Sequence, residues 1–525
     1  MIRLKAAIAA LAGGVIAAIT GPAGAENVLR WASAGEVLTF DPHSLDETAN
    51  SIHFRQVYEP LVDLDSDLKL VPMLAVEWKI VDPTTWEFRL REGVSFHDGS
   101  PFTADDVIFS LRRAQADTSD WKDTISIISA IEALDPHTVR LTTSLPDMIL
   151  PTALRNIMIM SKTWAQSHGA GLPADFDAGE QTHATVNANG TGPFELQEFT
   201  PPDHVVLARN PDWWGLERYP LNIDRIDYRT IDEEKARLDA LLTRKIDFLP
   251  DTPLDAIDAI RKSAGLKLAQ APELRTIFLG LDQGSAELRS SNIKGKNPFA
   301  DRRVREAMYH AIDIEAIRDE VMRGLSIPRG MIIAPGVNGF ADDLDKRLSF
   351  DPVRAPSLLA DAGYREGFTV TLDCPNNRYI NDEAICRAVA AQLGEVGIDV
   401  TVAARPKGEH WRMLDNGMSD FWLEGWGFPT LDSQTEFQEF FHSRGSRHDE
   451  TGYANPRVDE LIDKIQGTMI TYARDAMIEE VWKIVLDDIV YLPLHQQILV
   501  WTTRDDLDIP VFPIGRPQFR EARFR

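Results

Sequence analysis

The sequence predicts an α/β fold of two or three domains, on three observations. The first is the stretch Thr84 to Arg113. Trp86, Phe88 and Leu90 alternate with Glu87, Arg89 and Arg91, the period of a strand with one buried face. The turn pairs Glu92-Gly93 and Asp98-Gly99 bracket a second short strand, Val94 to Phe96. Thr103 then opens a helix, with Asp106 three residues on as in a capping box and Val107, Ile108 and Leu111 as its apolar face. The second is a helix from Glu233 to Leu242 followed by a strand from Lys245 to Leu249. The third is a strand-helix-strand unit from Phe368 to Val402, with strands at Thr369 to Leu372 and Ile398 to Val402. Its helix carries the stripe Ile385, Val389 and Leu393 and stops at Gly394 or Gly397; a parallel crossover is expected. A chain of 525 residues has room for two or three domains with large cores.

Taken in order, the chain opens as a leader. Arg3 and Lys5 precede the uncharged apolar run Ala6 to Ile19, and Ala23-Gly24-Ala25 fits the small-residue cleavage rule, so a mature chain starting at Glu26 is expected. The run is short for crossing ~30 Å of hydrocarbon, and no cysteine follows it for a lipid anchor. Loss of Arg3 and Lys5 takes the formal net charge from −26 to −28. That acidic balance argues against a nucleic-acid partner, which requires a basic face. No later stretch reaches about 18 uncharged apolar residues.

Glu26 to Pro72 reads as strand, loop, helix, strand. Ser167 to Asn189 is polar, rich in Gly, Ala and Asp and without period, and reads as a long surface loop. Gly169-Ala-Gly171 lacks the preceding strand of a dinucleotide loop. Ile277 to Leu281 is a short apolar strand. Asp301 can cap a helix with the face Val304, Ala307, Met308 and Ala311; Asp313 restarts it and Gly324 can end it. Asp459 to Lys464 and Met477 to Leu486 are further helices.

Enzyme signatures are sparse. There is no Gly-x-Ser-x-Gly elbow and no His-Glu-x-x-His pair, and Gly295-Lys296 is followed by Asn297, not by the Ser or Thr of a phosphate loop. No cofactor is expected. Cys374 and Cys386 are too few for a Cys-only metal site. In an oxidising compartment they could pair, which requires Cα atoms within about 7 Å.

The wording of several segments goes further. Trp86-Glu-Phe-Arg-Leu-Arg-Glu-Gly-Val-Ser-Phe-His-Asp-Gly-Ser-Pro-Phe-Thr-Ala-Asp-Asp-Val107 resembles the signature of the extracytoplasmic solute-binding proteins of ABC importers, in the peptide/nickel-binding family, family 5. Leu38-Thr-Phe-Asp-Pro-His43, Tyr58-Glu-Pro-Leu-Val62, Leu70 to Trp78, Ile131 to Val139, Gly190-Thr-Gly-Pro-Phe194, Arg209 to Gly215, Asn297 to Ala307 and Tyr491-Leu-Pro-Leu-His-Gln-Gln497 are similar in kind. The resemblance covers about Glu26 to Trp501. It implies a two-lobed periplasmic binding protein of the large, type II form, with three subdomains and a hinge of two crossings near Ala271 to Asp282 and Tyr491 to Gln497. The expected division is 1–25 leader, 26–272 lobe I with an inserted subdomain at about 63–188, 273–490 lobe II, and 491–525 back in lobe I. The implied function is to bind a peptide or peptide-sized solute between the lobes and deliver it to an inner-membrane ABC permease, as a monomer and without chemistry. An opine, a sugar conjugate or a metal chelate would suit the same fold. A secreted hydrolase with converged groups or a holdase-like chaperone are the readings from other classes.

In the family, the segment matching Phe421 to Ser433 lines the cleft and its tryptophan meets the ligand, which points here to Trp426 and Gly427. A tryptophan in ordinary core is the bland alternative. Peptide binders hold the ligand ammonium with an aspartate just after that tryptophan; here Phe428 and Pro429 intervene and Asp432 is the nearest acid. Arg378 and Tyr379 lie in a loop between strand end and helix start, where open α/β sheets bind ligands, and Arg378 can fork onto a carboxylate or phosphate or simply face solvent. Arg155 carries the same ambiguity. Glu36 and Thr39 are candidates at the other cleft edge.

Overall fold

The structure is a computed structural model that describes residues 26–428 and 430–525; the expected leader, 1–25, lies outside the described residues. Its spine is one eleven-stranded mixed sheet. From one edge the strands are Ile398–Arg405, Phe368–Pro375, Phe421–Trp426, Leu266–Leu281, Leu492–Arg504, Phe248–Leu249, Val28–Ser33, Arg225–Thr230, His204–Arg209 and Phe194–Thr200, with Ser326–Pro328 paired off the path onto Leu492–Arg504. The expected crossover is present: Phe368–Pro375 and Ile398–Arg405 run parallel, joined by the helix Asp382–Gly394, whose Ile385, Val389 and Leu393 are buried.

Two long strands run through both lobes. Leu266–Leu281 pairs antiparallel with Leu492–Arg504, from Leu266 opposite Arg504 to Leu279 opposite Leu492. The expected short strand at Ile277 to Leu281 is thus only the end of a 16-residue strand. The register shifts between Pro272 and Thr276, where proline has no N–H to give the ladder. That irregularity divides the ladder into two halves.

Antiparallel strands Ala75–Asp82, Thr85–Leu90, Thr138–Thr143 and Ile128–Asp135 form a separate sheet. Trp86, Phe88 and Leu90 point into its core, which draws on residues from Leu61 to Ile159. Val94 to Phe96 is not a strand. It forms a tight loop in which only Ser95 bridges to Pro101 and Phe96 N–H donates to the Ser100 carbonyl, because Gly93 and Gly99, both at positive φ, turn the chain within seven residues. Thr103 caps the helix Ala104–Ala114, and its N–H donates to Asp106 Oδ2 at 2.9 Å. Asp301 caps Arg302–Ala311, with Val304, Ala307, Met308 and Ala311 buried. The two cysteines are joined, Cys374 to Cys386, with Cα atoms 6.5 Å apart. Closing this loop stabilises the fold by roughly 3 kcal/mol on the chain-entropy scale.

Buried titratable groups set the acid limb of stability. Burial depresses His43 and His495 to about 3, helped by Arg113 and Arg347 respectively, and depresses His53 and His97 to about 4. Their folded pKa lies below the unfolded value, so this contribution is present above pH ~6.5 and is lost as pH falls. Burial raises Glu59 and Glu450 to about 7 and Asp251 to about 6, which has the opposite sign down to the ordinary carboxylate range. We expect a nearly flat urea midpoint from pH 7 to about 4.5. Between pH ~4.5 and 3, His43 and His495 alone should cost about 3 kcal/mol per pH unit together. An equilibrium-unfolding series in which stability is unchanged at pH 3 would overturn this account.

Candidate functional site

The candidate site gathers where the long strand pair meets the ends of Phe368–Pro375 and Phe421–Trp426. Gly425 is its pivot. Its carbonyl accepts from Tyr379 Oη at 3.2 Å and from Arg275 Nη1 at 3.3 Å. A Cβ on Gly425 would stand 2.5 Å from Ile277 Cδ1 and 2.9 Å from Tyr379 Cε1, so only glycine lets the tyrosine approach. The Tyr379 ring is buried and its hydroxyl is pushed up to about 12, first by burial and then by Glu424. Arg275 and Arg378 both stack over that ring, at 5.7 and 5.4 Å from its centroid.

The loop bearing Arg378 and Tyr379 lies inside the disulfide ring. Asp382 holds it, its carboxylate accepting from the backbone N–H groups of Arg378, Tyr379 and Glu383. Gln497 Oε1 accepts from Ile380 N–H, while its Nε2 donates to Glu273 Oε2 at 2.7 Å. Glu273 Oε1 accepts from Arg275. The strand Leu492–Arg504 thus positions the loop through Gln497. Among the described residues no acceptor hydrogen-bonds the Arg378 guanidinium. Its pKa is lowered by burial and by neighbouring Arg275.

Trp426 is half-buried. One part of it packs edge-on against Phe440, with centroids 5.2 Å apart, and Arg447 lies 5.2 Å from its centroid. Its Nε1–H reaches Glu436 at 3.5 Å, a weak contact. Gly427 has open space where a Cβ would stand. The remaining candidates are not gathered with these. Asp432 is 5 % exposed and its carboxylate is fully engaged: Arg474 forks onto both oxygens at 2.6 and 2.8 Å, Asn338 donates to Oδ2, and Gln434 N–H donates to Oδ1. Thr39 is buried, its hydroxyl accepting from Asp41 N–H. Glu36 is exposed. Arg155 is buried and lowered to about 9 by burial and by Arg55, and its carbonyl accepts from Arg55.

Sequence reasoning missed Glu273, Arg275, Glu47 and Lys407. Glu47 accepts from Thr48 N–H at the head of the helix Thr48–Val57, and Lys407, 360 residues on, reaches it at 2.7 Å. Gln466 makes a second cross-contact, to the Pro146 carbonyl. An open groove of about 630 Å³ separates Leu70 and Thr152 from Asn338 and Thr430 to Asp432. That volume falls within the range of small-molecule sites.

Two lobes on a paired-strand hinge, with polar groups converging at the hinge, define a two-lobed solute-binding protein. Solved structures of similar fold include the periplasmic binding protein DppA from Helicobacter pylori in complex with the peptide STSA, with a TM-score of 0.76 at 22% identity over 95% of this chain and 98% of that one. AgaA from A. tumefaciens R10, in complex with agropinic acid, gives 0.76 at 22% over 95% and 99%. In sequence, the glutathione-binding protein GsiB of Shigella boydii is 26% identical over 476 residues, 88% of this chain and 87% of that protein. Residues 69–448 match the model of the bacterial extracellular solute-binding proteins, family 5 Middle, and the chain belongs to that family, the solute-binding components of ABC importers. Among the described residues no helix is long and apolar enough to cross a membrane.

Proposed function

We propose that this chain binds a peptide or peptide-sized solute with a carboxylate between its lobes and presents it, as a periplasmic monomer, to an inner-membrane ABC permease, with no chemistry of its own. The observation that carries the reading is the Arg378 guanidinium, which stacks on Tyr379 beside Gly425 and hydrogen-bonds no acceptor among the described residues. An opine-like anion is the second reading. It is favoured because Asp432, the nearest acid after Trp426, already serves Arg474 and leaves a ligand ammonium without an obvious partner. The proposed division remains 26–272 with an insert at about 63–188, 273–490, and 491–525. A separate apolar core around Phe88, drawn from Leu61 to Ile159, supports an insert in the first segment.

Only differential affinity for the closed form can drive closure. Solute released by denaturing protein purified from the periplasm, identified by mass spectrometry, should rebind. At saturation it should reduce the radius of gyration in solution scattering and raise the melting temperature by mass action. The purified chain should begin at Glu26. A scattering curve unchanged at saturation counts against a cleft that closes.

A further inference from the structure

We infer that Arg447 is a positioning residue for the solute: clamped between Glu424 and Glu450, it holds the Trp426 ring in the orientation of a binding wall. This rests on the reading of Trp426 as a wall of the site. Trp422, Glu424 and Trp426 alternate along the strand Phe421–Trp426 and so share one of its faces. Arg447 bridges the last two. Its Nη2 lies 2.6 Å from Glu424 Oε1 and donates to Glu450 Oε2 at 2.8 Å, while its Nε donates to Glu450 Oε1 at 2.9 Å. The same guanidinium lies 4.4 Å from the Phe440 ring centroid and 5.2 Å from that of Trp426. Carboxylates thus fix the planar fork through its N–H groups, and the two rings lie within cation–π reach of it.

The chain after Trp426 is shaped to deliver this contact. A π-turn over Phe437–Phe441 closes with His442 N–H on the Phe437 carbonyl at 2.9 Å, and a turn of that kind re-aims the side chains around it. It places Glu436 at Trp426 Nε1 and Phe440 edge-on to the ring. Gly445 then brings the chain back. A Cβ there would stand 2.2 Å from the Gln438 carbonyl oxygen and 2.7 Å from that of Glu439, and Arg447 N–H donates to the Glu439 carbonyl at 3.3 Å. Stability does not account for the clamp. The Glu424 side chain is fully buried, and those of Glu450 and Arg447 are only 8 % and 12 % exposed. Two carboxylates on one cation leave excess negative charge away from water, and burial pushes Glu450 up to about 7. Well-packed apolar residues often hold such a core at least as well. What the triad adds is direction: two fixed acids aim one flat cation at one ring.

Fluorine NMR of the full mature chain grown with 5-fluorotryptophan tests the orientation without a solute. Trp426→Phe identifies the Trp426 resonance. In Arg447→Met that resonance should broaden or split, and in Arg447→Lys, which keeps a cation, it should stay closer to the parent's. A resonance as narrow and single in Arg447→Met as in the parent overturns the inference. Calorimetric titration with Ala-Ala-Ala and glutathione as probes reads the consequence. Arg447→Met should weaken a probe that binds by about fivefold to thirtyfold, the scale of a desolvated cation–π contact, and Arg447→Lys should recover part of the loss. The same change made in Trp426→Ala should cost less than about twofold, because the arginine acts through the ring. An equal loss in both backgrounds marks a merely structural role and overturns the inference. If Arg447→Met does not fold, Arg447→Met with Glu424→Gln and Glu450→Gln takes its place, since it leaves neither acid of the clamp charged and unpaired. Full affinity in Arg447→Met beside a loss in Trp426→Ala overturns the positioning role and leaves the interlobe reading standing. Full affinity in Trp426→Ala overturns both. If neither probe binds the parent chain, the fluorine resonance decides alone.

Discussion

Trp426→Ala weakens solute binding by roughly 2–4 kcal/mol, the range of an aromatic hot spot, or about thirtyfold to a thousandfold in dissociation constant. The expectation follows from the ring's divided surroundings. Phe440 and Arg447 hold one part of it, and the remainder is uncovered beside Gly427, which has no neighbour where a side chain would stand. Removing the ring therefore costs a wall of the proposed site more than it costs the core. A tryptophan packed on all sides would instead lose about 3–5 kcal/mol of stability on truncation. Calorimetric titration with the released solute, beside urea unfolding of the same variant, separates the two. Full affinity together with much-reduced stability would sink the assignment of Trp426 to the site.

The parts of the fold that were legible in the sequence are those set by neighbours in the chain. Trp86, Phe88 and Leu90 declare a strand by alternation, and Asp301 a helix start by its short side chain, because period and cap are local. Leu266–Leu281 was not legible as one strand. Lys267, Gln270, Glu273 and Arg275 interrupt its apolar pattern, yet a ladder to a segment more than 200 residues away holds it extended. The disulfide stayed open for the same reason: a 6.5 Å Cα separation is a property of the packed crossover, not of the spacing. At the site, Trp426 and Gly427 came from the family wording of one segment, and Arg378 and Tyr379 from their loop between a strand end and a helix start. Glu273 and Arg275 carried no such signal, because what brings them to the site is the long ladder to the segment bearing Gln497.

Asp432 shows how proximity in sequence misleads. It is the acid nearest to Trp426 in its loop, but Arg474, 42 residues on, claims both of its oxygens, and the two side chains are 7 % and 3 % exposed. Removing one member of such a pair leaves the other charge buried and unpaired, which costs about 3–5 kcal/mol. Asp432→Asn should therefore lower the stability of the chain by about that amount. It should also disturb the cap that Asp432 provides at Gln434 N–H and its bond with Asn338. Replacing both charges, Asp432→Asn with Arg474→Met, should recover much of the loss, since no unpaired cation remains. Solute affinity, measured below the unfolding transition, should stay within a fewfold of the parent chain in both variants. Urea unfolding and calorimetric titration on the same preparations decide the matter. If Asp432→Asn abolished binding at full stability, the aspartate would return to the solute, and an ammonium-bearing peptide would become the favoured ligand.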